Sequence, residues 1–193
     1  MRVGIAVVCG MAAAMMFNAG MMDGASMKAQ EAAAPAAAPA ATPKEVKVDL
    51  KSSTGADAGT VTFKTVKKGV KVTIHLQDMA FGPHGVHIHQ NAVCDAPDFK
   101  TAGGHFNPDG KHHGYMNMTG HHNGDMPSNV MVGEDHKGEA SFVLTSISLD
   151  RNATDSLMLN GGTSVVVHEH ADDEKTDPAG NAGNRVACGV VKY

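Results

Sequence analysis

The chain has 193 residues, a formal net charge of −4 at pH 7, 4% aromatic residues and no tryptophan. A mild negative charge argues against nucleic-acid binding, which needs a clustered basic face. With so few aromatic residues, the core must be built from Val, Ile, Leu, Met and a few Phe side chains.

The N-terminus has the composition of a secretory signal peptide. In MRVGIAVVCGMAAAMMFNAG, one arginine precedes an almost uncharged apolar run that ends at Phe17, which predicts a signal peptide over residues 1–27. The alternatives are a membrane anchor and a lipid anchor on Cys9. A spanning helix needs about 20 apolar residues, whereas this run is shorter and contains Gly4 and Gly10. We therefore predict an exported, periplasmic protein with no stable membrane span after signal removal.

An Ala/Pro-rich segment follows the signal peptide. The stretch AQEAAAPAAAPAATP ends at Pro43, and a proline at every fourth position interrupts any alanine-driven helix. Such a composition is typical of an extended, semi-rigid linker, which we place at residues 28–43. The folded part then covers residues 44–193, a length that suits one domain with a substantial core.

Short runs of alternating apolar and polar residues recur through this domain. Val46, Val48 and Leu50 alternate with charged residues, and a period of two predicts a strand with one buried face. The eight predicted strands cover residues 46–50, 61–63, 70–76, 85–89, 130–132, 140–144, 164–168 and 186–191. No segment forms a convincing amphipathic helix, so the pattern predicts an all-β antiparallel sandwich or barrel.

Two connections, residues 90–129 and 169–184, are too long for ordinary hairpins. Long loops on a small β domain are usually functional or disordered. These two loops contain most of the unusual side chains, so we expect the functional site to be built from them.

The cysteine count predicts one disulfide. Cys9 leaves with the predicted signal peptide, and Cys94 and Cys188 remain. An even number of cysteines in an exported chain favours a Cys94–Cys188 bridge. Two free buried thiols are the alternative.

Histidines are concentrated in one part of the chain: eight of the 12 lie between His84 and His122. His87 and His89 are two residues apart on a predicted strand, so their side chains point to the same face. His168 ends another apolar strand and could complete a nitrogen-only site. Such a site suits copper, because imidazole ligands and the Irving–Williams order both favour Cu(II).

The stretch GGHFNPDGKHHGYMNMTGHHNGD, residues 103–125, contains five more histidines and ends in an acid. A glycine-rich loop has no packing reason to concentrate imidazoles. Three histidines and Asp125 would make a closed tetrahedral set for zinc. The candidates are His105, His112 or His113, and His122.

Six motifs in a fixed order resemble the copper/zinc superoxide dismutase family. They are GVHIHQ, GGHFNP, KHHG, HHNGD, VVVHEHADD and GNAGNRVACGV, and they span residues 44–190. The resemblance implies a Greek-key fold, one copper and one zinc ion per subunit, and dismutation of superoxide to dioxygen and hydrogen peroxide by a Cu(II)/Cu(I) cycle. It also suggests a homodimer, since many relatives are dimers.

The resemblance assigns roles to individual residues. His105 would bridge the two metals and carry a proton, Arg185 would guide the superoxide anion beside copper, and Cys94 and Cys188 match the family's disulfide. The implied copper ligands are His87, His89, His105 and His168. The implied zinc ligands are His105, His112, His122 and Asp125.

The third zinc ligand is ambiguous. The family pattern Lys-His-x-Gly selects His112, whereas counting eight residues from His105 selects His113; we follow the local pattern. The pattern His-x-Gly-Asp selects His122 over His121.

Other loop residues have two interpretations each. Either Asp172 or Asp173 could link ligands of the two metals, and we favour Asp173. Lys175 could add positive field at the active-site mouth or be an ordinary solvated lysine. Met116, Met118 and Met126 could help to capture Cu(I), for which thioethers are soft ligands, or could fill gaps in packing.

Overall fold

The computed structural model describes residues 41–192. The predicted signal peptide and residues 28–40 of the predicted linker lie outside this range. Within it, no helix is long and apolar enough to cross a membrane.

Nine strands and two 3-10 turns make up the regular structure of the described residues. The strands are β1 (Glu45–Ser52), β2 (Asp57–Val66), β3 (Gly69–Leu76), β4 (Gly82–His84), β5 (Val86–His89), β6 (Val130–Val132), β7 (Gly138–Leu144), β8 (Thr163–His168) and β9 (Arg185–Val191). The 3-10 turns are Lys100–Ala102 and Leu159–Gly161.

All strand pairs are antiparallel, and the strand order is β4-β6-β7-β3-β2-β1-β9-β8-β5. The two terminal strands of this order, β4 and β5, are separated in sequence only by Gly85. The sheet therefore curls into a nearly closed barrel, and the prediction of an all-β antiparallel Greek-key fold is confirmed. Nine strands replace the predicted eight, because residues 82–84, just before the segment predicted at 85–89, form an additional strand that pairs with β6, while residues 86–89 pair with β8.

The alternation of apolar and polar residues in the sequence matches the alternation of buried and exposed side chains in the strands. On β1, Val46, Val48 and Leu50 face the core while Lys47 and Asp49 face solvent. The core is aliphatic, with Phe63 among its largest fully buried side chains. Burying a Val, Leu, Ile or Phe side chain contributes about 1.5–3 kcal/mol, so this one-sided pattern holds each strand in register.

β8 departs from this alternation, because all six of its residues are buried. Val165 and Val167 lie in the barrel core, whereas Val166 belongs to a second small cluster with Phe99 and Cys188. The loop after β5 thus covers the outer face of β8. The predicted disulfide is confirmed: Cys94 in this loop is bonded to Cys188 on β9, with an S–S distance of 2.06 Å.

Candidate metal centre

Two strands and two loops bring the histidines together. Val86 and Ile88 of β5 point into the barrel core, so His87 and His89 point out, beneath the covering loops. His168 is the last residue of the neighbouring β8. His105 returns from the first long loop and pairs with His89 in an isolated β-bridge.

The first cluster consists of four buried imidazoles, each offering a ring nitrogen within 4.8 Å of the others. The rings of His87 and His105 stack with centroids 4.0 Å apart. One ring nitrogen of each member is buried with no hydrogen-bond partner: Nδ1 of His87, and Nε2 of His89, His105 and His168. Buried polar atoms are nearly always satisfied, so four unpaired nitrogens converging on one point fit a bound cation.

The opposite nitrogens of these rings are held in place. His87 Nε2 donates to Asp172 Oδ2 at 2.8 Å, and His89 Nδ1 donates to the Gly103 carbonyl at 2.9 Å. His168 Nδ1 lies 3.4 Å from the carbonyl oxygen of Gly183. A proton fixed on one nitrogen leaves the lone pair on the other, which is the tautomer a metal needs.

Burial also keeps these imidazoles neutral. Loss of solvation, followed by repulsion from His105, lowers the pKa of His87 to about 3 and that of His168 to about 4. The same two causes hold the pKa of His89 well below its ordinary value. Neutral imidazole is the ligand form, so the cluster is prepared for a metal at neutral pH.

The second cluster surrounds one carboxylate oxygen. Asp125 Oδ1 lies 2.8 Å from His105 Nδ1, 3.2 Å from His113 Nδ1 and 3.3 Å from His122 Nδ1, and the Nδ1 atoms of His105 and His122 are 3.3 Å apart. Ligands bound at about 2.0–2.1 Å around a tetrahedral zinc ion lie about 3.3 Å from one another. The spacing therefore fits zinc. Hydrogen bonding alone does not account for this arrangement, because His113 Nδ1 has no hydrogen-bond partner.

His87 also offers a ligand atom within 4.8 Å of His105, His113 and Asp125. We nonetheless count His122 as the fourth member, because His87 Nε2 is engaged by Asp172 and His87 Nδ1 belongs to the first cluster. His105 is common to both clusters: its Nε2 belongs to the first, and its Nδ1 to the second.

Asp125 is fixed by backbone amides as well as by histidines. Its Oδ2 accepts hydrogen bonds from the amides of Gly114 at 2.8 Å and His122 at 3.0 Å. Burial alone would raise its pKa, but close contacts with His105, His113 and His122 outweigh burial and hold the pKa far below its ordinary value. The aspartate is therefore a permanent anion at the centre of the cluster.

The structure places His113, rather than the predicted His112, in the second cluster. The side chain of His112 is 61% exposed and its Nδ1 contacts Asp177 Oδ2 at 2.6 Å, whereas His113 is fully buried in the second cluster. The reason is the backbone at Gly114, where a Cβ atom would lie 1.9 Å from the Glu174 carbonyl oxygen. Only glycine allows the two loops to approach this closely. His113, the residue before Gly114, is buried at this contact between the loops.

His121, which the sequence pattern excluded, also stays outside the cluster. Its ring stacks on Tyr115 with centroids 3.7 Å apart, and its Nδ1 donates to the His122 carbonyl at 2.7 Å.

Asp172, and not the favoured Asp173, links the two clusters. Its Oδ2 accepts from His87 Nε2 at 2.8 Å and its Oδ1 contacts His113 Nε2 at 2.9 Å. Asp173 instead accepts from the amides of Lys175 and Thr176 at the surface. The difference follows from alternation in an extended loop, which points one aspartate in and the next one out.

Contacts within and between the two long loops set the charge state of His113 and Asp172. Burial opposes a charge on His113, but its close contacts with the carboxylates of Asp125 and Asp172 outweigh burial and raise its pKa to about 9. The pKa of Asp172 is far below its ordinary value, because hydrogen bonds from His113 and His87 overcome its burial.

Sequence reasoning missed Asn129, whose side-chain amide binds both the backbone amide and the backbone carbonyl of Asp172. Asn129 Nδ2 donates to the Asp172 carbonyl at 2.9 Å, and Asn129 Oδ1 accepts from the Asp172 amide at 2.7 Å. Nothing in the local sequence around Asn129 marks this contact, since the two residues are 43 positions apart.

Arg185 lies at the mouth of the site. Its Nη1 donates to the Phe99 carbonyl and its Nη2 to the Gly103 carbonyl, each at 2.7 Å. Burial lowers the pKa of the guanidinium from its ordinary value, with Asp98 opposing the shift, and Arg185 remains a cation at neutral pH. A cavity of about 380 Å³ is bordered by Arg185, His105, His122 and five neighbours. Lys175 is exposed and does not border this cavity.

These observations define a class of protein: an antiparallel β-barrel with two adjacent clusters of candidate metal ligands, beside a cavity with a guanidinium at its rim. The copper/zinc superoxide dismutase family model matches residues 57–191. On this match and on the relatives described next, the chain belongs to the copper/zinc superoxide dismutase family.

Named relatives and solved structures cover most of the chain. It is 40% identical to superoxide dismutase [Cu-Zn] 1 of Aquifex aeolicus over 75% of this chain and 85% of the relative. It is 38% identical to superoxide dismutase [Cu-Zn] of Deinococcus radiodurans, over 76% and 83% of the two chains. A crystal structure of a point mutant of a SOD-like protein from Bacillus subtilis superposes with a TM-score of 0.73 at 36% identity, covering 76% of this chain and 97% of that one.

Proposed function

We propose that the protein is a superoxide dismutase that binds copper at His87, His89, His105 and His168, and zinc at His105, His113, His122 and Asp125. One observation carries the proposal: five buried ring nitrogens of these two clusters have no hydrogen-bond partner. When bound, copper would supply the one-electron exchange that oxidises one superoxide to dioxygen and reduces the next to hydrogen peroxide. This donor chemistry also suits the two ions, nitrogen alone for copper and nitrogen with one carboxylate for zinc.

His105 supplies the proton chemistry. Its Nε2 is the ring atom that belongs to the first cluster, and the residue borders the cavity that a small anion would enter. Product formation needs protons, and Nε2 is placed to take one up and pass it to the reduced oxygen species. Nδ1, held at 2.8 Å from Asp125 Oδ1, keeps the ring oriented while Nε2 exchanges the proton.

Arg185 attracts and orients the substrate. Two carbonyls hold its guanidinium at the rim of the cavity with its positive charge retained. A fixed cation at a cleft raises the local concentration of a small anion and its association rate, and salt screens this effect. Guidance by Lys175 stays a prediction.

Replacing Arg185 with alanine is expected to lower kcat/KM for superoxide by about 10–100-fold. Stopped-flow measurements at several ionic strengths would show a shallower salt dependence than in the wild type, because the guiding charge is gone. Arg151→Ala removes the same charge beside a separate cavity and is the matched control. Equal rates for the two variants at equal copper content would contradict the role of Arg185. Copper binding without superoxide removal in the wild type would favour a copper store over an enzyme.

The zinc assignment predicts opposite outcomes for neighbouring histidines. His113→Ala removes a buried member of the second cluster, and zinc affinity is expected to fall by more than about 100-fold, since even outer partners of ligands contribute 10–100-fold. His112→Ala removes only an exposed contact with Asp177, and surface pairs of this kind contribute little. Competition with a zinc chelator measures both, and zinc loss in His112→Ala alone would reverse the assignment.

We also propose that the protein is exported to the periplasm. The Cys94–Cys188 disulfide supports this, because such bridges persist in oxidising compartments. Mass spectrometry of the periplasmic fraction tests it: a mature chain lacking residues 1–27 or nearly so is expected, and a full-length cytoplasmic chain would contradict it.

A homodimer is supported by an exposed apolar surface on β4 and β6. Phe81 is 67% exposed and Met131 is 60% exposed, and Met131 pairs with Pro83 across the two strands. Exposed apolar patches often mark protein interfaces. Sedimentation equilibrium is expected to give twice the monomer mass, and a monomer at all concentrations would contradict the proposal.

A further inference from the structure

A closed excursion of the first long loop, residues 114–122, leaves the second cluster and returns to it. Its two ends are tied to the same atom, because the amides of Gly114 and His122 both donate to Asp125 Oδ2. The stack of Tyr115 on His121 closes the base of the excursion. The residues between these two ends therefore form a separate small loop.

The tip also has internal order. The Asn117 amide donates to the Gly114 carbonyl at 3.1 Å, and its side-chain oxygen accepts from the Thr119 hydroxyl at 2.8 Å. The Met116 amide donates to the Glu174 carbonyl at 2.9 Å. The tip thus lies on the second long loop, whose residues Pro178 and Ala179 border the cavity beside His105.

The tip carries two exposed methionines. Met118 is fully exposed and Met116 is 68% exposed. By contrast, Met79 and Met126 are buried in the core. Gap-filling, the ordinary role of methionine, is therefore ruled out for Met116 and Met118 by their exposure.

We propose that Met116 and Met118 form a docking site for Cu(I), from which the ion passes to the four-imidazole cluster. Thioethers are soft, uncharged ligands, and soft ligands suit the soft Cu(I) ion. The transfer is a ligand exchange: the thioether sulfurs release the ion, the unpaired ring nitrogens bind it, and no electron is gained or lost. The inference deepens the proposed function, since it rests on copper as the ion of the first cluster.

The test compares isosteric variants. Leucine has the volume and apolar character of methionine but no sulfur, so Met116→Leu with Met118→Leu removes Cu(I) binding and keeps any apolar docking surface. Met131→Leu, on β6 outside the two long loops, is the matched control, and leucine keeps the apolar character of the surface proposed for the dimer. Zinc-loaded, copper-free protein is mixed anaerobically with substoichiometric Cu(I), and copper at the histidines is followed over time by rapid chelator quench and metal analysis.

The double variant is expected to load about tenfold more slowly than the wild type, because the ion is no longer held at high effective concentration near its destination. Met131→Leu should load like the wild type. Equal loading rates in all three proteins would overturn the proposal.

A second measurement separates this inference from the proposed function. In a His89→Ala background, where the first cluster lacks a ligand, Cu(I) titration against a chromophoric chelator should detect one more bound equivalent with Met116 and Met118 than with the two leucines. This difference does not depend on superoxide removal. No difference in this background would overturn the docking site, whatever the enzyme activity of the wild type.

Discussion

His105→Ala is expected to lower superoxide removal by about 10²–10⁴-fold, the range that a positioned proton donor contributes, and to weaken both metal sites together. His105 Nδ1 lies 2.8 Å from Asp125 Oδ1 in the second cluster, and the residue also belongs to the four-imidazole cluster. Under the proposed assignment, its loss would remove a copper ligand, a zinc ligand and the proton carrier in a single change.

Metal analysis and stopped-flow superoxide removal measure the two consequences separately. His105→Gln retains much of the side-chain volume, so it distinguishes loss of ligation from the cavity that alanine leaves in a buried site. His75→Ala, at an exposed position on β3, is the control for a histidine change away from the centre. Wild-type metal content and rate in His105→Ala would exclude a shared histidine.

The strands could be predicted from the sequence because a strand with one buried face has apolar residues at alternate positions. Val46, Val48 and Leu50 are the clear case. β8 gave a continuous apolar run instead, because the loop containing Phe99 covers its outer face. The division of residues 82–89 into two strands was not predictable, since it depends on partners 48 and 81 positions away, such as Met131 for Pro83 and Val167 for Val86.

The same dependence on partners distant in sequence explains what could not be predicted at the metal centre. His87 and His89 could be paired from their spacing on a strand, and three members of the second cluster, His105, His122 and Asp125, were included in the predicted zinc set. His112 and His113, however, are identical side chains on adjacent residues. What separates them is contact with a loop about 60 residues later: Asp177 holds His112 at the surface and Asp172 holds His113 inside. Asp172 and Asp173 were confused for the same reason.

The disulfide has the largest expected effect on stability. Cys94 and Cys188 are 94 residues apart in sequence, and closing a loop of that length restricts the unfolded chain by about 4–5 kcal/mol in the loop-closure model. Cys94→Ser with Cys188→Ser is therefore expected to lower the free energy of unfolding by about that amount. Urea unfolding of zinc-free and copper-free protein measures it without a contribution from metal binding.

The bridge also has a consequence for the active site. It fastens the loop after β5 to β9, and this loop supplies the Phe99 and Gly103 carbonyls that hold Arg185. The Gly103 carbonyl also accepts from His89 Nδ1, so one carbonyl orients both the guiding cation and a member of the first cluster. Without the bridge, the folded double variant is expected to lose kcat/KM as well as stability.

Two comparisons isolate the role of the bond. Wild-type protein treated with a thiol reductant should match the serine variant in both stability and kcat/KM, because each lacks the same cross-link. Combining the serine changes with Arg185→Ala should then cost little further activity, since residues acting through one interaction are not additive. Full activity in the folded serine variant would show that the small cluster of Phe99, Ala102 and Val166 holds the loop by itself, and the disulfide would then act on stability alone.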